Sequence, residues 1–195
     1  MKIFELSGTL RTNLTKAAVK SLRKNGQVPC VLYGNKLENI HFCVSVSDIK
    51  GLIYTPNAYI VDITIDGKKH LTILHDMQFH PVTDEILHID FLSADESHPV
   101  TIHIPVVIEG VSEGVKAGGK LTVSTRKLCV KGLIKDLPDT LPVNISDLKL
   151  GKAIVAGDLT FPDIRMITPK NTIICAVKMT RAALGAAAAA ATTGK

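Results

Sequence analysis

Five cations and no acid lie between positions 11 and 24: Arg11, Lys16, Lys20, Arg23 and Lys24. Lys16, Lys20 and Lys24 recur every four residues, and Arg23 is seven from Lys16. On a helix that spacing makes one basic stripe. Solvated helix faces usually mix signs, because opposite charges at i, i+4 gain a few tenths of a kcal/mol. This stretch does not mix them, and Lys16 falls in the first turn, where the helix dipole favours acids. A phosphate opposite the stripe accounts for both features better than a bare solvated face does.

The second constellation is histidine-rich: His70, His75, His80 and His88, with His88-Ile89-Asp90 forming H-x-D on a strand, both side chains on one face. A metal site needs three or four convergent ligands. Strand alternation puts His70 and His80 on one face and His75 on the other, and no cysteine joins them, so no metal site is expected. A hydrolase, in particular an RNase, would use His80 or His88 as base with Asp90 orienting it. No nucleophile elbow, P-loop or dinucleotide fingerprint accompanies them. The bland reading is packing or exposure. A third reading is hydrogen bonding to RNA, since a neutral imidazole both donates and accepts.

The charge distribution favours the nucleic-acid reading. The chain has 195 residues and a formal charge of +5. Residues 1–50 hold eight cations and three acids, and the remainder is neutral. The whole excess therefore lies in the first quarter. Hydrophobic residues make up 46% and charged residues 21%, which excludes wholesale disorder. The first residues carry no apolar signal-peptide core, and no stretch has the length of a membrane span. Cys30, Cys43, Cys129 and Cys175 form no C-x-x-C pair; buried free thiols explain them better than a Cys30–Cys43 disulfide.

The elements that must position these groups are mostly short strands: 28–33, 41–46, 59–65, 69–79 and 86–92. Asp66-Gly67 between two alternating runs predicts a hairpin, because that pair tolerates positive φ. Thr15 as N-cap and Gly26 at C′ bracket a helix over 16–25. Leu14 and Val19 suit a hydrophobic staple, and Leu14, Ala18 and Leu22 form its apolar line. Ser47 is expected to cap a second short helix through Ile53. The polar stretch 94–99 marks a domain boundary. Beyond it, 100–109 alternates, Gly110, Gly114, Gly118 and Gly119 read as loop, and strands follow over 120–131 and near Ala153 and Ile173. The expected division is a domain over 1–95, a small β domain over 96–182 and an alanine-rich tail over 183–195.

Three stretches together resemble a family. The first is Arg11, then Lys16-Ala17-Ala18-Val19-Lys20-Ser21-Leu22-Arg23, then Gly26-Gln27-Val28-Pro29-Cys30-Val31-Leu32-Tyr33-Gly34. The second is Gln78-Phe79-His80-Pro81 followed by His88-Ile89-Asp90-Phe91. The third is Gly118-Gly119-Lys120-Leu121, Leu141-Pro142-Val143, Ile145-Ser146-Asp147-Leu148, Gly151 and Asp158-Leu159. The chain resembles the bacterial large-subunit ribosomal protein L twenty-five family in its long form, with a C-terminal CTC (general stress protein) domain.

The resemblance implies a mainly β protein with an N-terminal six-stranded β-barrel, short helices and a second small β domain. It implies binding of 5S rRNA at loop E, in a widened minor groove, within the cytoplasmic ribosome, with neighbouring ribosomal proteins as further partners. It implies no catalysis, cofactor, membrane or small-molecule substrate. Carried onto this chain, the matching RNA-binding positions are Arg11, Lys16, Lys20, Arg23, Tyr33, Gln78, His80, His88 and Asp90, and the basic stripe adds Lys24. Lysine and arginine would neutralise phosphates. Gln78, the histidines and Asp90 would bond base edges or sugars, and Tyr33 would stack or hydrogen-bond. The competing readings are an RNA hydrolase using His80, His88 and Asp90, and a stress-related interaction module acting through the second domain.

Overall fold

In the computed structural model, residues 1–34, 37–95, 98–162 and 164–180 are described. The expected alanine-rich tail lies outside them. The chain divides into two compact units: Met1–Ile102 with Gly132–Asp139, and His103–Lys131 with the residues from Thr140 onward.

The first unit is a closed six-stranded barrel. Its strands are β1 (Lys2–Leu10), β2 (Gln27–Gly34), β3 (Leu37–Ser45), β4 (Tyr59–Ile65), β5 (Lys68–Phe79) and β6 (Ile86–Ser93). The neighbour order is β1-β3-β2-β6-β5-β4, and β4 closes on β1 in parallel, from Lys2 opposite Tyr59 to Gly8 opposite Ile65. Closure leaves no unpaired edge. Alternation sends Leu6, Val28, Cys30, Leu32, Phe42, Val44, Ile63, Ile89 and Phe91 into one core. Each large apolar side chain fully buried there contributes about 1.5–3 kcal/mol. Cys30 lies in that core, whereas Cys43 faces outward against Thr9, its Sγ 3.3 Å from Thr9 Oγ1. All four thiols are free, and Cys30 and Cys43 are not bonded.

The β4–β5 hairpin turns on two residues, Asp66 at φ 47° and Gly67 at φ 78°, as the Asp-Gly pair predicts. β1 has no counterpart in the sequence reading. Helix α1 (Lys16–Lys24) is capped by Thr15, whose side chain accepts from the Ala18 N–H. Gly26 follows at φ 71°. The expected staple is not made: Leu14 is 54% exposed, and the docked side of α1 is Ala18, Val19 and Leu22, half-buried. Helix α2 (Val46–Ile53) begins earlier than expected, with Ser45 rather than Ser47 at its N-cap. The Ser45 hydroxyl is 2.9 Å from that of Ser47 and makes no cap bond to the backbone.

The second unit is also mostly β. A four-stranded sheet has the order β10-β7-β9-β12, from β7 (Val100–Glu109), β9 (Lys127–Gly132), β10 (Leu141–Asn144) and β12 (Arg165–Met166). A three-stranded sheet has the order β11-β13-β8, from β8 (Lys120–Val123), β11 (Ala153–Val155) and β13 (Ile173–Lys178). The glycine series, expected as loop, contains one helical turn, α3 (Glu113–Lys116). Ser112 caps it, accepting from Gly114 and Val115 and donating to the Leu148 carbonyl. Glycine at 114 is required by packing: a Cβ would sit 2.7 Å from the Leu150 nitrogen.

Candidate nucleic-acid interface

The polar residues singled out on β2, β5 and β6 share the outer face of the barrel. On β6, Ile89 and Phe91 are fully buried, so His88 and Asp90 point outward. Gln78 lies directly opposite His88, and Asp76 opposite Asp90. On β2, Val28, Cys30 and Leu32 are buried, which turns Tyr33 outward.

His88 Nδ1 is 2.7 Å from Asp90 Oδ1, both side chains about 30% exposed. Nδ1–H donates to the carboxylate, which leaves Nε2 as the free ring nitrogen. Asp76 opposite Asp90 sets two carboxylates across the ladder, an arrangement that costs stability. Each is partly compensated, Asp90 by His88 and Asp76 by the Met77 N–H at 2.8 Å.

Tyr33 meets His75 on this face. Its hydroxyl is 3.2 Å from His75 Nδ1, and the rings meet edge to face at 6.1 Å. His75 follows inward Leu74 and faces out, and a β-bulge between Leu74 and Asp76 keeps Asp76 on that same outer face. Before it, Thr72 and Leu74 face the barrel interior; after it, the inward position passes to Met77, opposite buried Ile89. Burial first, then the Asp90 and Asp76 carboxylates, holds the Tyr33 phenol above its usual pKa. His75 and Asp76 therefore belong to the same surface as Gln78, a grouping that unbroken alternation along β5 does not give.

His80 has a different position. Its Nδ1 accepts from the N–H groups of Val82 (3.4 Å) and Thr83 (3.2 Å), and its backbone N–H donates to the Glu85 carbonyl at 2.8 Å. It closes the β5–β6 turn, so its imidazole is held by the backbone instead of standing ready as a base.

The basic residues divide in two. Lys16, Lys20 and Lys24 are exposed, and among the described residues they form no ion pair. Arg23 folds back: its Nε and Nη2 both donate to the Leu87 carbonyl, at 3.2 and 2.8 Å. That bond ties the C-terminal end of α1 to the strand residue preceding His88. Arg11 is half-buried beyond β1. Its Nη2 donates to the Asn13 carbonyl at 3.4 Å, and its Nε is buried with no protein acceptor. Helix α1 thus packs beside β2 and is tied to β6 by Arg23. Among the described residues no three His, Cys, Asp or Glu side chains are grouped to hold a metal, and no helix is long and apolar enough to cross a membrane.

Residues 6–91 match the Ribosomal L25p family, and residues 99–181 match the family described as Ribosomal protein TL5, C-terminal domain. The large ribosomal subunit protein bL25 of Bacteroides thetaiotaomicron is 51% identical over 97% of this chain and 99% of its own length. The chain belongs to the bL25 family. Relatives named bL25 from Phocaeicola vulgatus and Porphyromonas gingivalis are 50% and 48% identical over 97% and 96% of the chain, and 99% and 98% of their own lengths. As a bL25 protein it is a structural component of the bacterial ribosome, in the cytoplasm, and not an enzyme. That sets aside the hydrolase reading of His80, His88 and Asp90, in line with the structural bonds that occupy His80.

Proposed function

We propose that this bL25 protein binds 5S rRNA, at the loop E region, through the outer face of β2, β6 and β5 together with helix α1. The observation that carries the reading is the bond from Arg23 to the Leu87 carbonyl, which holds a basic helix beside a strand face bearing Tyr33, Gln78, His88 and Asp90. RNA minor grooves are wide and shallow and present 2′-hydroxyls, so such a face fits them. Lys16, Lys20 and Lys24 neutralise phosphates. His88, its Nδ1 held by Asp90, offers Nε2 to a hydroxyl or base edge. Gln78 both donates and accepts. Tyr33 presents a phenol hydroxyl that can donate and accept. Arg11 supplies a guanidinium whose buried Nε lacks a protein acceptor, and the role of Arg23 is chiefly to hold α1.

Titration of 5S rRNA with the full chain over a range of salt concentrations tests this. The affinity falls on a log–log line with a slope of about 0.7–0.9 per phosphate neutralised. A flat response, or no binding, overturns it. Loop E and the division of the chain into an RNA-binding domain over 1–95 and a second domain that meets neighbouring ribosomal proteins are parts of the same proposal.

A further inference from the structure

The second unit carries a cationic arrangement that its own fold does not explain. Arg165 on β12 lies directly opposite Lys131 on β9. On β9, Leu128 and Val130 are fully buried, so Lys127 and Lys131 share the exposed face, with half-buried Cys129 between them. Lys127 and Lys131 are four residues apart, about 13 Å along a strand. Among the described residues none of the three cations forms an ion pair. Like charges directly opposite each other destabilise a sheet.

The register that forces this encounter is pinned. Thr168 Oγ1 accepts from the Cys129 N–H at 2.8 Å, and the N–H groups of Ile167 and Thr168 both reach the Cys129 carbonyl. A two-residue strand is thus held so that Arg165 stays opposite Lys131. We infer that this face is a phosphate-binding surface for large-subunit rRNA, with Lys131 and Arg165 taking one phosphate between them and Lys127 a second. Charge complementarity selects the partner: only an anion between the two cations converts their repulsion into attraction, and the chain is a component of an RNA-rich particle. A second like-charge pair, Lys120 opposite Lys178, lies on the three-stranded sheet, with exposed Lys120 and Lys178 but no third cation on β8. It provides the control.

The test uses the full chain as Lys131→Gln/Arg165→Gln and, separately, Lys120→Gln. Each is titrated at several salt concentrations against 5S rRNA alone, against protein-free 23S rRNA with 5S rRNA, and against large subunits depleted of this protein. The double variant is expected to keep its 5S rRNA affinity within about twofold. It should lose about tenfold on the 23S–5S rRNA, with a salt slope shallower by about 0.7–0.9, the share of one phosphate. Its melting temperature should rise by about 1–4 °C as the repulsion is relieved. Lys120→Gln should raise the melting temperature without that loss of affinity. Unchanged binding to 23S–5S rRNA overturns the inference. So does a loss of about threefold from Lys120→Gln, which is what one charge of two would give if net charge alone mattered. A loss seen only with protein-containing subunits points to an acidic protein and overturns it as well. Because the readout is on 23S–5S rRNA, failure of 5S rRNA binding by the wild type would count against the proposed function and not against this surface.

Discussion

Arg23 donates two of its N–H groups to one carbonyl, that of Leu87, and so the arginine of α1 is a strut between α1 and β6. Arg23→Ala is expected to destabilise the protein by about 1 kcal/mol, given the exposure of the contact. It should weaken 5S rRNA binding while leaving the salt slope nearly unchanged. Lys20→Ala should instead lower the slope by about 0.7–0.9, because Lys20 faces solvent. Urea unfolding and salt-dependent titration of both variants separate the strut from the phosphate contact. Equal slope changes would refute the distinction.

His88 and Asp90 act as one unit through the 2.7 Å bond between them. His88→Ala and Asp90→Ala should each lower 5S rRNA affinity, and the double variant should lose little more than the worse single variant. The expected coupling is about 1 kcal/mol or more in a double-mutant cycle. Additive losses would show that the two groups meet the RNA independently.

Much of this surface is legible in the sequence, and the misses have physical causes. The helix stands out because Thr15 and Gly26 bracket it and its charges share one sign. The β4–β5 hairpin stands out because Asp66-Gly67 names its turn. Strand β1 escapes notice because its inward positions are Phe4, Leu6 and Gly8, and a glycine breaks the apolar rhythm. The grouping of His75 with Asp76 and Gln78 escapes because alternation assumes an unbroken ladder, and the bulge after Leu74 resets it. Leu14 misleads because an apolar residue before a cap suggests a staple, yet here it stays exposed. The glycine series hides α3 because close packing against residues 148–150, and not only loop freedom, selects Gly114.

The glycine of β1 gives a prediction about the barrel itself. A Cβ at Gly8 would lie 2.6 Å from Phe42 Cδ2, so Phe42 or the strand must move. Gly8→Ala is expected to cost about 1–3 kcal/mol in urea unfolding. A neutral effect would show that Phe42 has room to give.

Burial, reinforced by Cys43, pushes the Cys30 thiol far above its ordinary value of 9.0. The folded protein therefore keeps a proton that the unfolded chain releases above about pH 9. Stability attributable to this group is complete below the unfolded pKa and falls as pH rises beyond it, by up to about 1.4 kcal/mol per pH unit. Melting curves from pH 7 to 10.5 should show this alkaline decline, and Cys30→Ala should flatten it. An equal decline in the variant would assign it elsewhere. Native Cys30 should also resist alkylation until the barrel unfolds.

A nuclease and hydroxyl-radical footprint of the full chain on 5S rRNA decides whether one face of the barrel and one helix recognise that RNA. The prediction is protection confined to loop E and its adjoining minor groove, weakened by Lys16→Ala/Lys20→Ala and by His88→Ala, with the RNA left intact. Absence of protection, protection elsewhere on the 5S rRNA, or protection indifferent to those substitutions would contradict it.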